Sequence, residues 1–120
     1  EEHTLTILKS MNYIASNQSD LEQQNQVTRW IMNKEEHAQE IQNIVSEYFL
    51  TQRIKLKDDS KESKDLYHAQ LTALHNILLD AMKCKQTINT NNTTSLLNNL
   101  NSFVNLYFDD HGKKHLRELN

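Results

Sequence analysis

The near absence of turn-forming residues is the strongest constraint on the fold of this chain. Its 120 residues include one glycine, Gly112, and no proline. A β-sandwich or an α/β fold of this length needs many tight turns, which glycine and proline usually supply. The sequence therefore predicts an all-α fold, with a few long helices and polar connections in a single domain over residues 1–120.

The apolar content is low for one isolated domain, at 37% against a usual value of about 45–50%. Fourteen Asn and nine Gln residues account for much of the difference. A core this thin suggests that two subunits share it. The net charge of −3 disfavours nucleic acid or an anionic membrane as a partner, and no apolar run approaches the length of a membrane span.

Hydrophobic periodicity predicts about six helices. The first covers residues 2–16, and two shorter segments meet near residues 33–36. A central helix over residues 35–54 is apolar over more than half of its circumference, which is typical of a helix buried among neighbours. Two amphipathic helices follow around residues 67–81 and 96–108, separated by a loop over residues 86–93, and a short helix over residues 113–119 ends the chain.

The sequence offers no motif typical of an enzyme. A strained nucleophile turn and a phosphate-binding loop both require several glycines. His111 and His115 have a spacing that suits a metal site on a helix, but the one glycine lies between them. His68 and His75 have no acidic residue between them on their helix face. Cys84 lies between two lysines, which can lower a thiol pKa, or else is incidental and partly buried. We therefore expect no catalysis, no metal and no cofactor.

Several short motifs resemble those of the type II interferons, the interferon-gamma-like helical cytokines. The polar segment Asn17-Gln18-Ser19-Asp20 follows the first helix, as it does in that family. A second helix bearing Trp30 leads into Lys34-Glu35-Glu36. Ile44-Val45-Ser46-Glu47-Tyr48-Phe49 is similar to the family's hydrophobic third helix, and Lys57-Asp58-Asp59 follows it. Trp30 lies one turn earlier than is usual in the family, and the basic C-terminal tail is absent.

The resemblance implies a secreted cytokine that acts as an intertwined homodimer and dimerises a class II cytokine receptor at the cell surface. Receptor-binding residues by position would be Asn17, Gln18, Ser19, Asp20, Glu22 and His115. The core of the dimer would include Ile44, Val45, Tyr48, Phe49, Phe103 and Tyr107.

Three sequons, beginning at Asn17, Asn91 and Asn92, agree with secretion to the extracellular space. We expect Asn91 or Asn92 to carry a glycan, because a glycan on Asn17 would cover the expected receptor face. A second interpretation remains open. An extracytoplasmic four-helix-bundle domain of a bacterial transmembrane receptor, which senses a small ligand, would also be a helical dimer poor in glycine and proline.

Overall fold

The computed structural model describes residues 1–16 and 21–108. These residues form four α-helices and one π-helical segment, and they contain no β-strand. The elements are α1 (Glu2–Ser16), α2 (Leu21–Asn43), π1 (Ile44–Arg53), α3 (Lys61–Gln86) and α4 (Asn91–Tyr107). The prediction of an all-α fold is confirmed.

The helices α1 and α2 form an antiparallel pair. The Asn33 side chain donates a hydrogen bond to Ser10 Oγ at 3.2 Å, and His3 lies against His37. Higher residue numbers in α1 therefore face lower numbers in α2. The predicted first helix over residues 2–16 has the same bounds as α1, since its apolar residues recur at helical spacing without interruption.

The same alternation of direction continues through the rest of the bundle. Gln42 Nε2 donates to the carbonyl oxygen of Leu78 at 3.3 Å, while Lys34 reaches the carbonyl of Lys85, so α3 runs antiparallel to α2. Residues 87–90 then return the chain into α4, which packs along α3. The four α-helices thus succeed one another up, down, up and down.

The bundle is long and narrow, with extents of 60 × 30 × 22 Å. Its core draws on all four helices and π1. The buried apolar side chains that pack together are Ile7, Met11, Ala38, Ile41, Val45, Ile54, Ala73, Leu74, Ile77, Ala81, Cys84, Leu96, Phe103 and Tyr107. Helices α1 and α4 contact each other much less than neighbouring helices in the chain do. The α1–α2 hairpin and the α3–α4 hairpin are therefore joined mainly through contacts between α2 and α3.

The π-helical segment extends α2 with a wider backbone turn. Its last bond runs from the Ile54 amide to the Phe49 carbonyl at 2.9 Å, five residues back. Phe49 packs edge-on against Phe103 and Tyr107, with ring centroids 4.9 and 5.3 Å away. The wider turn of π1 therefore occurs where Phe49 packs against Phe103 and Tyr107 of α4.

The prediction of about six helices is wrong for the described part of the chain. The expected break near residues 33–36 does not occur, because α2 continues through Lys34, which is only 3% exposed. The expected loop over residues 86–93 is also shorter. Helix α4 begins at Asn91, whose amide donates to the Asn89 side chain at 3.0 Å and so starts the helix early.

The predicted terminal helix over residues 113–119 lies outside the described residues. Among the helices that the structure does describe, none is both long enough and apolar enough to span a membrane.

Candidate metal centre

Two histidines from different helices meet at the interface of α1 and α2. The Nδ1 atoms of His3 and His37 are 2.5 Å apart, and the ring centroids are separated by 4.7 Å with an interplanar angle of 49°. Both side chains are half-buried. The next residue along α2, Ala38, is fully buried, and its small side chain allows the two helices to approach closely at this level.

A buried lysine lies one turn before His37 on α2. Lys34 Nζ donates to the carbonyl oxygens of Lys85 and Thr87 at 3.0 and 2.8 Å. These carbonyls belong to the C-terminal end of α3, where a cation satisfies unpaired acceptors and opposes the negative end of the helix dipole. Burial is the largest influence on Lys34 and lowers the pKa of its ammonium group. Lys34 therefore ties α2 to the end of α3.

Cys84 is the only thiol of the chain and lies in the core. Its side chain is 0% exposed. Burial, with a smaller contribution from the Asp80 carboxylate one turn earlier, raises the pKa of the Cys84 thiol to about 11. Of the two alternatives that the sequence left open, burial is the one observed, and the flanking lysines do not activate the thiol.

Asp80 is a second buried polar group on α3, at 6% exposure. Its Oδ2 atom accepts hydrogen bonds from Ser95 Oγ at 2.8 Å and from Asn99 Nδ2 at 2.5 Å. Both donors lie on α4, so this carboxylate fixes the register of the second hairpin.

The cavities of the bundle are open and shallow. A groove of about 430 Å³ is lined, among the described residues, by side chains of α2: Gln26, Arg29, Trp30, Met32, Asn33 and Glu36. A smaller cavity of about 180 Å³ at the start of α3 has Gln70 in its wall. The Gln70 amide is 4% exposed, and its Nε2 atom has no hydrogen-bond partner. Neither cavity resembles an enclosed pocket for an organic substrate.

The structure describes only one of the six residues predicted to bind a receptor. Asn17, Gln18, Ser19, Asp20 and His115 all lie outside the described residues. Glu22 is exposed in the first turn of α2.

The two predicted glycosylation sites lie in the first turn of α4. Asn91 is exposed, whereas Asn92 is half-buried and donates to Thr87 Oγ1 at 2.8 Å. Glycosylation of either residue stays a prediction, and Asn91 is the more accessible of the two.

The residues predicted to form a dimer core divide into two groups. Phe49, Phe103 and Tyr107 pack together within one chain, beside the buried Val45. Ile44 and Tyr48 are 42% and 44% exposed. A role of these six residues in a dimer stays a prediction.

Sequence reasoning missed the pair formed by His3 and His37. The two residues are 34 positions apart, and no local motif connects them. The available signal was the antiparallel pairing of the first two helices, which brings the start of α1 beside the C-terminal part of α2. The pair that spacing did suggest, His111 and His115, lies outside the described residues, while His68 and His75 are exposed on α3.

Residues 2–111 match the family described as nickel-containing superoxide dismutase. The searches of curated proteins and of solved structures returned no significant match.

This match overturns the functional predictions made from the sequence. The resemblance to interferon gamma is wrong, and with it the roles of receptor ligand and of immune or antiviral signalling. The alternative of a bacterial sensor domain is also wrong, as is the expectation that the chain is not an enzyme. The short cytokine-like strings were matches between amphipathic helices, whose apolar and charged positions recur in unrelated helical proteins.

The donor set around the described helices does not fit a complete redox-active nickel centre. Thiolates are the strongly donating protein ligands that tune redox metals, and Cys84 is buried in the core, where burial raises the pKa of its thiol. No group of three or more His, Cys, Asp or Glu side chains within residues 1–16 and 21–108 is placed to hold a metal ion. Within the same residues, His3 and His37 bring two imidazole nitrogens together. Because the match spans most of the sequence, the chain belongs to the nickel-containing superoxide dismutase family.

Proposed function

We propose that this protein acts in the disproportionation of superoxide as a subunit of a nickel-containing superoxide dismutase. The reaction converts two superoxide anions and two protons into one molecule of oxygen and one of hydrogen peroxide. One superoxide loses an electron and the other gains it, so no external reductant is needed. The family match over residues 2–111 is the observation that carries the proposal.

The contribution of the described residues is a rigid scaffold. When bound, nickel would supply the one-electron chemistry of the family. Lys34 joins α2 to the end of α3, and Asp80 joins α3 to α4. These contacts hold the four helices in one arrangement. A metal site needs such a fixed support, because its ligands must keep the same geometry through repeated electron transfer.

The activity test compares metal-loaded preparations of the full chain. Protein loaded with Ni²⁺, loaded with Zn²⁺ or left without metal is assayed for removal of enzymatically generated superoxide, and bound metal is measured by atomic spectroscopy. We expect activity that rises with bound nickel and is absent with zinc, which has no accessible redox change. Nickel-loaded protein that is no faster than the same concentration of free nickel would refute the proposal.

The variant Cys84→Ala provides a matched control for this assay. Because the Cys84 side chain is fully buried in the core, its removal should leave nickel content and activity per bound nickel unchanged. A loss of nickel in this variant would show that the thiol is a ligand.

We also infer that the chain self-associates. Leu21 and Met32 are 82% and 65% exposed on α2. They are eleven residues apart, close to three full helical turns, and so lie on one side of the helix. The two residues are about 16 Å apart along the helix, and apolar side chains exposed on one face of a helix are candidates for contacts between subunits.

Light scattering after size-exclusion chromatography tests this association. Met32→Lys should shift the protein toward a monomer, whereas Leu5→Lys, at another exposed apolar position, should not. A chain that stays monomeric at every concentration over an about hundredfold range would refute self-association.

An extracellular location, expected from the sequons, stays a prediction.

A further inference from the structure

We propose that His3 and His37 together bind a divalent transition-metal ion through their Nδ1 atoms, bridging α1 and α2. Neutral imidazole is a ligand that suits zinc, copper, iron and nickel. The two Nδ1 atoms already face each other at 2.5 Å. When both rings carry their proton on Nε2, both Nδ1 lone pairs point into the same gap at the helix interface. The proposal concerns metal binding alone and does not depend on superoxide chemistry.

The geometry requires only a small adjustment to admit an ion. Metal–nitrogen bonds of about 2.0–2.1 Å place two ligands at a right angle about 2.9 Å apart, and two tetrahedral ligands about 3.4 Å apart. From the present 2.5 Å, the nitrogens need to separate by about 0.4–0.9 Å. Rotation of the two imidazole rings about their side-chain bonds supplies a movement of this size without displacing either helix.

The backbone around the pair is held in place independently. Asn33 and Ser10 link the same two helices by a hydrogen bond about one to two turns away. The buried residues Ile7 and Ala38 pack in the core beside the histidines. Two ligands fixed in advance bind an ion more tightly than two free imidazoles, because the second bond forms within the molecule.

Partial exposure leaves room for the remaining ligands. Both histidines are half-buried, and no third His, Cys, Asp or Glu joins them within the described part of the chain. Water molecules therefore complete the coordination sphere. A site of this kind binds its ion more weakly, and exchanges it more readily, than a closed four-ligand site.

Titration of the untagged full chain with Ni²⁺, followed by calorimetry and visible absorption, tests the proposal. We expect one ion per chain, with affinity reduced about 100-fold in His3→Ala and in His37→Ala. The double variant should be no weaker than either single variant, because removal of one ligand already destroys the chelate. The exposed histidines of α3 serve as matched controls, and His68→Ala and His75→Ala should bind as the wild type does.

Two further measurements separate loss of ligands from loss of folding. Circular dichroism should show unchanged helix content in every variant. Copper-loaded protein should show electron paramagnetic resonance couplings to two imidazole nitrogens, reduced to one in either single variant of the pair.

Three results would overturn the proposal: the absence of saturable binding, equal loss of binding in all four single variants, or binding abolished only by His115→Ala. In the first case the two histidines share a hydrogen bond and nothing more. A protein that binds nickel through this pair yet removes no superoxide would refute the proposed function and leave this site standing. Activity without binding at the pair would do the reverse.

Discussion

Removal of the Cys84 thiol should change how the stability of the protein depends on pH. The pKa of this thiol is raised from 9.0 to about 11 in the folded protein, chiefly by burial. The folded state therefore keeps its proton over a range in which the unfolded state releases it. The sign follows from linkage: this contribution to stability is complete below about pH 9 and is lost as the pH rises to about 11.

The magnitude follows from the two pKa values. Each unit of separation corresponds to about 1.4 kcal/mol of unfolding free energy. With values of 9.0 and about 11, the wild type should lose about 1 kcal/mol by about pH 10 and about 2 kcal/mol by about pH 11 through this group. Cys84→Ala and Cys84→Ser have no group that titrates in this range, so neither variant should show that loss.

Urea unfolding at intervals from about pH 8 to about pH 11, under reducing conditions, measures the effect. The useful quantity is the difference in unfolding free energy between wild type and variant at each pH. Other groups that titrate, including Lys34, whose pKa burial lowers, are present in both proteins and largely cancel. The cavity left by the smaller side chain adds a constant offset. Parallel stability curves for wild type and both variants would refute the reasoning.

The remaining predictions concern polar groups buried in the bundle. Asp80→Ala should destabilise the protein by about 2–4 kcal/mol, because the side chains of Ser95 and Asn99 lose a charged acceptor. Asp80→Asn, which keeps an acceptor oxygen, should cost less in the same urea titration. Lys34→Met preserves the aliphatic packing but leaves two carbonyls at the end of α3 without their donor, so we expect a loss of about 1–3 kcal/mol. Gln70→Leu removes a buried amide nitrogen that has no partner and should raise the unfolding free energy by about 1 kcal/mol.

Each of these three predictions has a clear contrary result. Equal losses in Asp80→Ala and Asp80→Asn would mean that the negative charge matters rather than the acceptor. A Lys34→Met variant as stable as the wild type would mean that desolvation of the ammonium cancels its two hydrogen bonds. A destabilised Gln70→Leu variant would show that the amide has a solvent partner in the small cavity.

The fold class and the first helix were accessible from the sequence because they depend on local chemistry. Without proline, and with one glycine, the chain has few residues that can end a helix or make a tight turn. The periodic apolar positions of α1 then define a helix whose bounds are the same in the prediction and in the structure.

The number of helices was not accessible because helix ends depend on tertiary contacts. Polar residues near position 34 indicated a break, yet Lys34 is buried and bonded to the end of α3. No local pattern reports a contact with residues about fifty positions away. Tertiary packing therefore carries α2 through a segment that propensity alone would interrupt.

The functional interpretation failed for a related reason. Short strings that looked like cytokine motifs reflect the amphipathic pattern shared by many helical bundles, so they carried information about fold and little about function. The family match required comparison over residues 2–111 as a whole.

By itself the sequence determined an all-α fold, because turn chemistry and hydrophobic periodicity are properties of neighbouring residues. Only the tertiary structure decided that Cys84 is a buried thiol rather than an activated one. It also decided that His3 and His37 meet. Both facts concern what surrounds a side chain, and burial and long-range pairing arise only when whole helices pack in a particular register.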